Sequence, residues 1–232
     1  MNLNILSWNI LSNKWIRPEF YNNINIKALN DQNRYIKIID YITNINYDII
    51  LLQECDNEFI NLLHMRLNMY HIYISKPIIW DNSIYRATYN ITLLKKINIV
   101  FRNINVHYSQ YSIILYNNYI NIINVHLNDI SLFKRKKEIN DISRFLINKY
   151  TIIGGDFNDD NHIYSTLINN YNFIKYNNKP TYYIDQPLCI DNILINNKNK
   201  HTLMVPNIIT NENNMFKKYH SDHLPLSLNI KF

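Results

Sequence analysis

Hydrophobic and polar positions follow one another along the chain at spacings that predict a series of strands and helices. The alternation over 3–9 is that of a half-buried strand. Apolar residues then recur at helical spacing, which predicts an amphipathic helix over about 32–45 with Asp31 as its N-cap. The continuous apolar run at 47–52 is typical of a strand that is covered on both faces.

The same patterns continue to the end of the chain, where loops are predicted in the Asn-rich stretches 21–30, 196–200 and 211–214. Further helices are expected over 57–68, 134–149 and 160–169. Further strands are expected over 70–75, 89–95, 97–102, 110–116, 119–126, 150–153, 172–176, 190–195 and 224–231. Strands at both ends with helices between them predict an α/β fold of sheets covered by helices. The length of 232 residues fits a single domain over 1–232.

Composition narrows the expected partners and location. The formal net charge of +6 favours a polyanionic partner such as nucleic acid, although a Lys-rich solvated surface gives the same charge. Cys55 and Cys189 have neither metal-finger nor disulfide-framework spacing, and they suit a reducing compartment. The chain shows no signal peptide and no apolar run of membrane-spanning length. We therefore expect a soluble intracellular protein, cytoplasmic or nuclear, that is not secreted and has no membrane partner.

The two glycines of the chain are adjacent, at Gly154 and Gly155, and lead directly into Asp156-Phe157-Asn158. Glycine is used where a Cβ cannot be accommodated, for example where φ is positive or where the backbone closely approaches another group. The apolar run before them predicts a strand. This strand should end in a tight loop that presents one carboxylate and one carboxamide, so we expect a functional site here.

Other strand-like runs also end in polar groups. These segments are Ser7-Trp8-Asn9, Gln53-Glu54, Asn124-Val125-His126 and Ser221-Asp222-His223, and Ile190-Asp191-Asn192 places an acid within an apolar run. A buried carboxylate is costly unless it is paired or bound to a cation. Taken singly, each segment has a plain alternative: Asn9 as a turn residue, His126 as a packing histidine, Asp191 as a strand residue that faces water.

Taken together and in this order, the segments resemble the endonuclease/exonuclease/phosphatase superfamily over residues 3–231. The opening 7–12 and the closing 221–226 are most similar to the branch of deadenylases, nocturnin-like and 2′-phosphodiesterase-like enzymes. The resemblance implies the DNase I-like fold, a four-layer sandwich of two mixed β-sheets flanked by helices. It also implies a metal-dependent phosphodiesterase.

The resemblance further implies a role for each matching residue. Glu54 is expected to be the main ligand of Mg²⁺, with Mn²⁺ as a possible substitute, and Asn9 and Asp222 to lie beside the ion. Such hard cations take oxygen ligands.

The catalytic residues implied by the resemblance surround the scissile phosphate. Asp156 is expected to orient or deprotonate the attacking water, while Asn158 and His126 contact phosphate oxygens. His223 is expected to stabilise the developing charge, and Asp191 to hold its imidazole from behind. Hydrolysis of a phosphodiester needs such donors because negative charge grows in the transition state.

The branch with the strongest resemblance favours nucleic acid as substrate, with RNA 3′ ends ahead of DNA. Alternatives are repair of DNA ends or abasic sites, hydrolysis of a small phosphodiester, and a catalytically inactive relative that binds nucleic acid or a protein. Two departures from the family pattern bear on substrate fit. Cys189 stands where a basic residue is common, and 89–92 lacks the usual glycine and alanine.

Basic and aromatic residues outside the motifs are further candidates for contacts with the substrate. The run 134–137, Arg34 and Arg86 could bind phosphates, and Trp80 and Tyr85 could stack on a base. A solvated helix start and aromatic residues tucked against the core are the alternatives.

Overall fold

The computed structural model describes residues 2–21, 24, 28, 31–79, 86–146, 150–159, 161–182, 187–196, 201–204 and 212–231. Trp80, Tyr85 and most of the Asn-rich stretches 21–30 and 196–200 lie outside these residues. The described residues form twelve strands: β1 Asn2–Asn9, β2 Ile49–Cys55, β3 Tyr70–Ile74, β4 Tyr89–Lys95, β5 Asn105–Tyr108, β6 Ser112–Tyr116, β7 Ile120–His126, β8 Tyr150–Asp156, β9 Ile174–Lys175, β10 Asp191–Ile195, β11 His201–Met204 and β12 Leu226–Lys231. The α-helices are α1 Arg34–Ile45, α2 Asn57–Arg66, α3 Leu132–Ile142, α4 His162–Tyr171 and α5 Glu212–Tyr219.

The strands form two six-stranded mixed sheets, in the orders β11-β12-β1-β2-β4-β3 and β5-β6-β7-β8-β10-β9. Apolar side chains from both sheets, such as Ile5 and Ile122, share one buried cluster between them. The outer face of the first sheet packs against α1, α2 and α5, and that of the second against α3 and α4. The predicted four-layer sandwich is therefore confirmed. Among the described residues, no helix combines the length and apolarity needed to span a membrane.

Strand direction brings the polar segments together. β1 runs parallel to β2, and β7 runs parallel to β8, so each pair ends at a common edge. β10 runs antiparallel to β8 and sets Asp191 directly opposite Asp156. β12 runs antiparallel to β1 with Leu226 opposite Ser7, so the segment before β12 lies beside the end of β1. One edge of the sandwich thus collects all six segments.

Several predicted elements differ from the structure. The strand expected over 97–102 is wrong: a short 3₁₀ turn occupies Ile99–Phe101, and β5 begins only at Asn105. This turn directs Phe101 into the core, which accounts for its apolar sequence without a strand. The helix expected over 134–149 runs from 132 to 142 and ends in a second 3₁₀ turn, Ser143–Phe145.

The N-cap prediction for α1 is also wrong. Asn33 occupies the N-cap position and makes no side-chain capping bond. Asp31 instead accepts the Arg34 N–H through its carbonyl and the Asn33 N–H through its carboxylate. Three elements were not predicted: β5, β11, and α5, which begins at Glu212 within a stretch expected to be a loop. β11 pairs with β12, and the apolar residues of α5 pack in clusters formed by residues far away in sequence, so the local pattern predicted neither of these two elements.

Gly155 lies opposite Val125, where β8 closely approaches the backbone of β7. Its φ is 145°, and a Cβ there would lie 1.9 Å from the carbonyl oxygen of Val125. A Cβ on Gly154 would meet Leu51 Cδ1 at 2.7 Å, the end of a flexible side chain. We expect Gly155→Ala to lower the free energy of unfolding by about 3 kcal/mol or more, because backbone strain and overpacking add.

Urea unfolding of Gly155→Ala and Gly154→Ala measures the difference. Gly154→Ala should cost clearly less, since the Leu51 side chain can rotate away. Equal losses in the two variants would contradict the close-approach explanation.

Candidate active site

Glu54 lies in a bulge near the end of β2 and has an unusual backbone conformation. Its φ is 58°, and the pairing of β2 with β4 shifts register between Leu52 and Cys55. Such bulges redirect a side chain and are common beside active sites. Here Glu54 Oε1 accepts a hydrogen bond from Asn9 Nδ2 at 2.9 Å, and Oε2 accepts one from the Ser12 N–H at 3.4 Å. The carboxylate is held in place while it remains open to the cleft.

Asn9 connects two acidic residues. Its Nδ2 also donates to Asp156 Oδ2 at 3.1 Å, while its Oδ1 accepts the Leu11 N–H at 3.0 Å. Asn9 therefore orients Glu54 and Asp156, and its amide oxygen is engaged with the backbone. Burial raises the pKa of Asp156, and the charge of Asp191 raises it further, partly opposed by His223. A carboxylate in that setting is a stronger base than an exposed one.

His223 and Asp191 form a buried pair, with Nδ1 and Oδ2 separated by 2.8 Å. Burial by itself lowers the pKa of His223, but Asp191 and Asp222 more than offset it and hold that pKa well above its ordinary value. The imidazole is thus kept protonated, and Nδ1 is committed to Asp191. Its Nε2 lies 3.9 Å from Asp156 Oδ2 and 3.9 Å from Asp222 Oδ1.

Asp222 is buried beside Glu54 and receives a hydrogen bond from the Tyr21 hydroxyl at 3.2 Å. Burial raises the pKa of Asp222 to about 6, with His223 opposing the shift and Glu54 adding to it. The charge of Glu54 therefore adds to the cost of ionising Asp222. A divalent cation between them would relieve that cost, and carboxylate oxygens are the donors that Mg²⁺ prefers. The donor set fits the ion.

His126 and Asn158 complete the site from β7 and from the loop after β8. His126 Nε2 lies 3.8 Å from Asp156 Oδ2 and 4.0 Å from Glu54 Oε1. Asn158 adopts a φ of 48°, its N–H donates to Asp156 Oδ1 at 2.9 Å, and its Nδ2 donates to the Leu127 carbonyl at 2.9 Å. Asn158 thereby fixes the orientation of Asp156 from the other side.

The structure brings all of the predicted site residues together. Six of them line one cleft of about 450 Å³: Glu54, His126, Asp156, Asn158, Asp222 and His223. The other two, Asn9 and Asp191, bind these residues from behind. The rest of the lining is largely apolar and includes Trp15, Phe20, Tyr21, Tyr182 and Leu188.

A second acidic group overlaps this site. Ligand atoms of Asp156, Asp191 and His223 all lie within 4.8 Å of one another. The Asp191–His223 hydrogen bond uses Nδ1, however, so these residues form an acid–imidazole pair rather than an open metal cradle. Glu54 and Asp222 remain the better pair of oxygen donors, because both face the cleft whereas Asp191 does not line it and is bonded to the imidazole.

Arg34, a sequence candidate for phosphate binding, has a structural role instead. It is completely buried, and its guanidinium donates to the carbonyls of Ile10, Leu11 and His220 and to Asn13 Oδ1. It ties the segment after β1 to the segment that carries Asp222.

The basic run 134–137 lies within the first two turns of α3. Arg135 is held by the carbonyls of Asn128 and Asp129. Lys134 lines a neighbouring pocket together with His126. Arg86 lies with its guanidinium 5.9 Å from the ring centre of Trp15, at the side of the cleft.

Sequence reasoning missed three contributors to the site. Tyr21 binds Asp222, Tyr182 packs on the His223 ring with centroids 4.9 Å apart, and Ser221 Oγ donates to the Asn9 carbonyl at 2.7 Å. With 19 tyrosines in the chain, neither tyrosine could be singled out. Ser221 had a signal, since it directly precedes the Asp-His pair.

Comparison with known proteins identifies the family. The model of the Endonuclease/Exonuclease/phosphatase family matches residues 6–223. No curated protein matches the sequence. Among solved structures, ANGEL2, described as a 2′,3′-cyclic phosphatase, aligns with a TM-score of 0.74 and 14% identity over 99% of this chain and 95% of its own.

Two other solved structures are similar at comparable identity. The human Nocturnin catalytic domain gives a TM-score of 0.69 at 15% identity, over 100% of this chain and 94% of its own. An endonuclease/exonuclease/phosphatase from Bacteroides vulgatus gives 0.74 at 15% identity, over 100% and 99%. The structural matches establish the DNase I-like fold, and the family match extends through every motif of the site. The chain belongs to the endonuclease/exonuclease/phosphatase family of phosphoesterases.

Proposed function

We propose that this protein is a Mg²⁺-dependent phosphodiesterase that hydrolyses nucleic acid, with RNA 3′ ends as its substrate. The observation that carries the proposal is the convergence of the Glu54 carboxylate, the Asp156 carboxylate and the His223 Nε2 on one cleft. The acting unit is proposed to be a single domain over residues 1–232.

Glu54 and Asp222 are proposed to hold the ion, with Asn9 orienting Glu54. When bound, Mg²⁺ or Mn²⁺ supplies Lewis acidity toward a phosphate oxygen and neutralises developing charge. The raised pKa of Asp222 fits this role because burial and, to a smaller extent, Glu54 raise it, and a bound cation would lower it again.

The remaining residues are proposed to move protons and stabilise charge. Asp156 is buried with a raised pKa, which suits it to accept a proton from the attacking water. Protonated His223 donates through Nε2 to a non-bridging phosphate oxygen, while Asp191 keeps its Nδ1 bonded. His126, whose Nε2 faces the same acids, contacts a second phosphate oxygen.

The choice of substrate rests on charge and on similarity. The formal net charge of +6 favours a polyanion. ANGEL2 is described as a 2′,3′-cyclic phosphatase, a chemistry of RNA 3′ ends, and it is among the similar structures. No residue of the described cleft favours DNA over RNA. DNA ends and abasic sites are therefore included among the substrates to be tested and are not a second proposal.

The test is hydrolysis of a labelled panel with Mg²⁺, with Mn²⁺ and with EDTA. The panel contains poly(A), 2′-5′ oligoadenylate, RNA with a 2′,3′-cyclic phosphate, an abasic duplex and tyrosyl-linked DNA. We expect metal-dependent turnover of an RNA. Turnover of the DNA substrates alone would overturn the RNA assignment. Binding without turnover of any of them would favour a catalytically inactive relative.

Asp191→Asn is expected to weaken catalysis mainly at neutral and alkaline pH. The substitution keeps an oxygen for Nδ1 but removes the charge that raises the pKa of His223. The imidazole then loses its proton at lower pH, so the alkaline limb of the rate profile moves toward acid. The pH–rate profile and an NMR titration of His223 measure the shift. An unchanged His223 pKa in Asp191→Asn would show that Asp191 does not support the ring.

A further inference from the structure

One wall of the cleft is aromatic and takes no part in the chemistry proposed above. Trp15, Phe20 and Tyr182 line the same opening as Glu54 and His223. Tyr182 is already packed against the His223 ring. Trp15 and Phe20 come from the segment after β1. Among the described residues, neither of them makes a hydrogen bond or a ring contact with a group assigned to catalysis.

The segment after β1 is packed against the body of the protein. Leu11, Tyr21, Ile24 and Phe216 form a small buried cluster, against which Trp15 packs. The buried Arg34 binds the carbonyls of Ile10 and Leu11 at the start of the segment. The Trp15 ring is therefore preorganised, so binding a ligand to it costs little ordering entropy.

Phe20 differs from its aromatic neighbours in its exposure. It ends the short turn Pro18–Phe20, its N–H donates to the Arg17 carbonyl, and its side chain is 56% exposed. The Arg17 guanidinium lies 5.7 Å from the centre of its ring. Single exposed aromatic residues are ordinary on protein surfaces. Surfaces that bind single-stranded nucleic acid combine aromatic rings with basic residues, and here an exposed ring lies beside a cation at the wall of the proposed phosphodiesterase cleft.

We propose that Phe20 and Trp15 form a nucleobase subsite, in which a base next to the scissile phosphate stacks on Phe20 while Arg17 faces the backbone phosphates. The inference rests on the proposed function and adds that this wall of the cleft binds a base of the substrate. Stacking tolerates any base because every base has a π-face. The subsite should therefore strengthen binding of nucleic acid without reading its sequence.

The test compares two labelled eight-nucleotide RNAs of equal length and charge, one with all its bases and one fully abasic. Binding is measured by fluorescence anisotropy without divalent ions, so that no cleavage occurs. Phe20→Ala should weaken binding of the base-bearing RNA about tenfold and leave the abasic RNA unchanged, because only stacking is lost. Phe20→Tyr should restore the affinity.

Phe133→Ala is the matched control, since Phe133 is 79% exposed on α3 and does not line this cleft. It should leave both affinities at the wild-type value. Equal affinity of wild type and Phe20→Ala for the base-bearing RNA, or equal losses on both RNAs, would overturn the subsite. Failure of the proposed function would appear separately, as absence of metal-dependent cleavage by the wild type whatever the binding results.

Discussion

Replacing Glu54 by Gln is expected to lower the rate of phosphodiester hydrolysis by about a thousandfold, the equivalent of several kcal/mol of metal assistance. The substitution keeps the shape and one acceptor oxygen, so the stronger of the two hydrogen bonds, from Asn9 Nδ2, can persist while the longer one from the Ser12 N–H is lost, and it removes the charge that faces the cleft. Folding should survive, because burial of a neutral amide at this position costs less than burial of a carboxylate. Single-turnover rates across a Mg²⁺ titration, with calorimetry of metal binding, measure the effect.

Glu58→Gln is the control for this change. Glu58 lies exposed in the first turn of α2, four residues away in sequence, and its loss should alter neither rate nor metal affinity. If Glu54→Gln bound Mg²⁺ as tightly as the wild type, the metal would have to be held elsewhere. The metal site would then be formed by Asp222 without Glu54, or by the group of Asp156, Asp191 and His223.

Asp156→Asn and His223→Ala are each expected to lower the rate by about 10²–10⁴-fold, as for loss of a group that transfers protons or stabilises charge in the transition state. The double variant should be little worse than the slower single variant. Asp156 Oδ2 and His223 Nε2 lie 3.9 Å apart and are proposed to act on one phosphate. Residues that act as a unit lose their function together, so their effects do not multiply.

Single-turnover rates of the two single variants and the double variant give the coupling between them. Asp40→Asn with His64→Ala serves as the matched pair, because it removes the same residue types from exposed helix surfaces and should leave the rate unchanged. Independent, multiplying losses for Asp156 and His223 would separate the two residues and contradict a shared transition state.

The layers of the fold could be predicted from the sequence because the apolar residues of each strand or helix recur at the spacing typical of that element. The apolar run that became β2 reflects burial on both faces of the strand, and the helical spacing in α1 reflects burial of one face against the sheet. Prediction failed where the partner is distant or the apolar signal is short. The segment 97–102 looks like a strand but forms a turn, and β11 and α5 obtain their places from contacts with residues far away in sequence.

The candidate site divides in the same way. Ordered motifs predicted which side chains meet, because strands that run parallel end at one edge. They could not predict how these side chains bind. That Asn9 spans two carboxylates follows from the bulge that turns Glu54 toward the cleft at a positive φ. A residue-by-residue pattern contains no information on such backbone rotations, which are stabilised by tertiary packing.

The sequence by itself determined the fold class, the family and the set of polar residues at the strand ends, since these depend on local periodicity and on residue type. Only the tertiary structure decided that Arg34 is buried and binds backbone carbonyls, that Tyr21 binds Asp222, and that Phe20 remains exposed beside the cleft. Arginine, tyrosine and phenylalanine each have an apolar part and can lie in the core or at a surface. Which environment they occupy is set by the neighbours that folding places around them, and not by their own position in the chain.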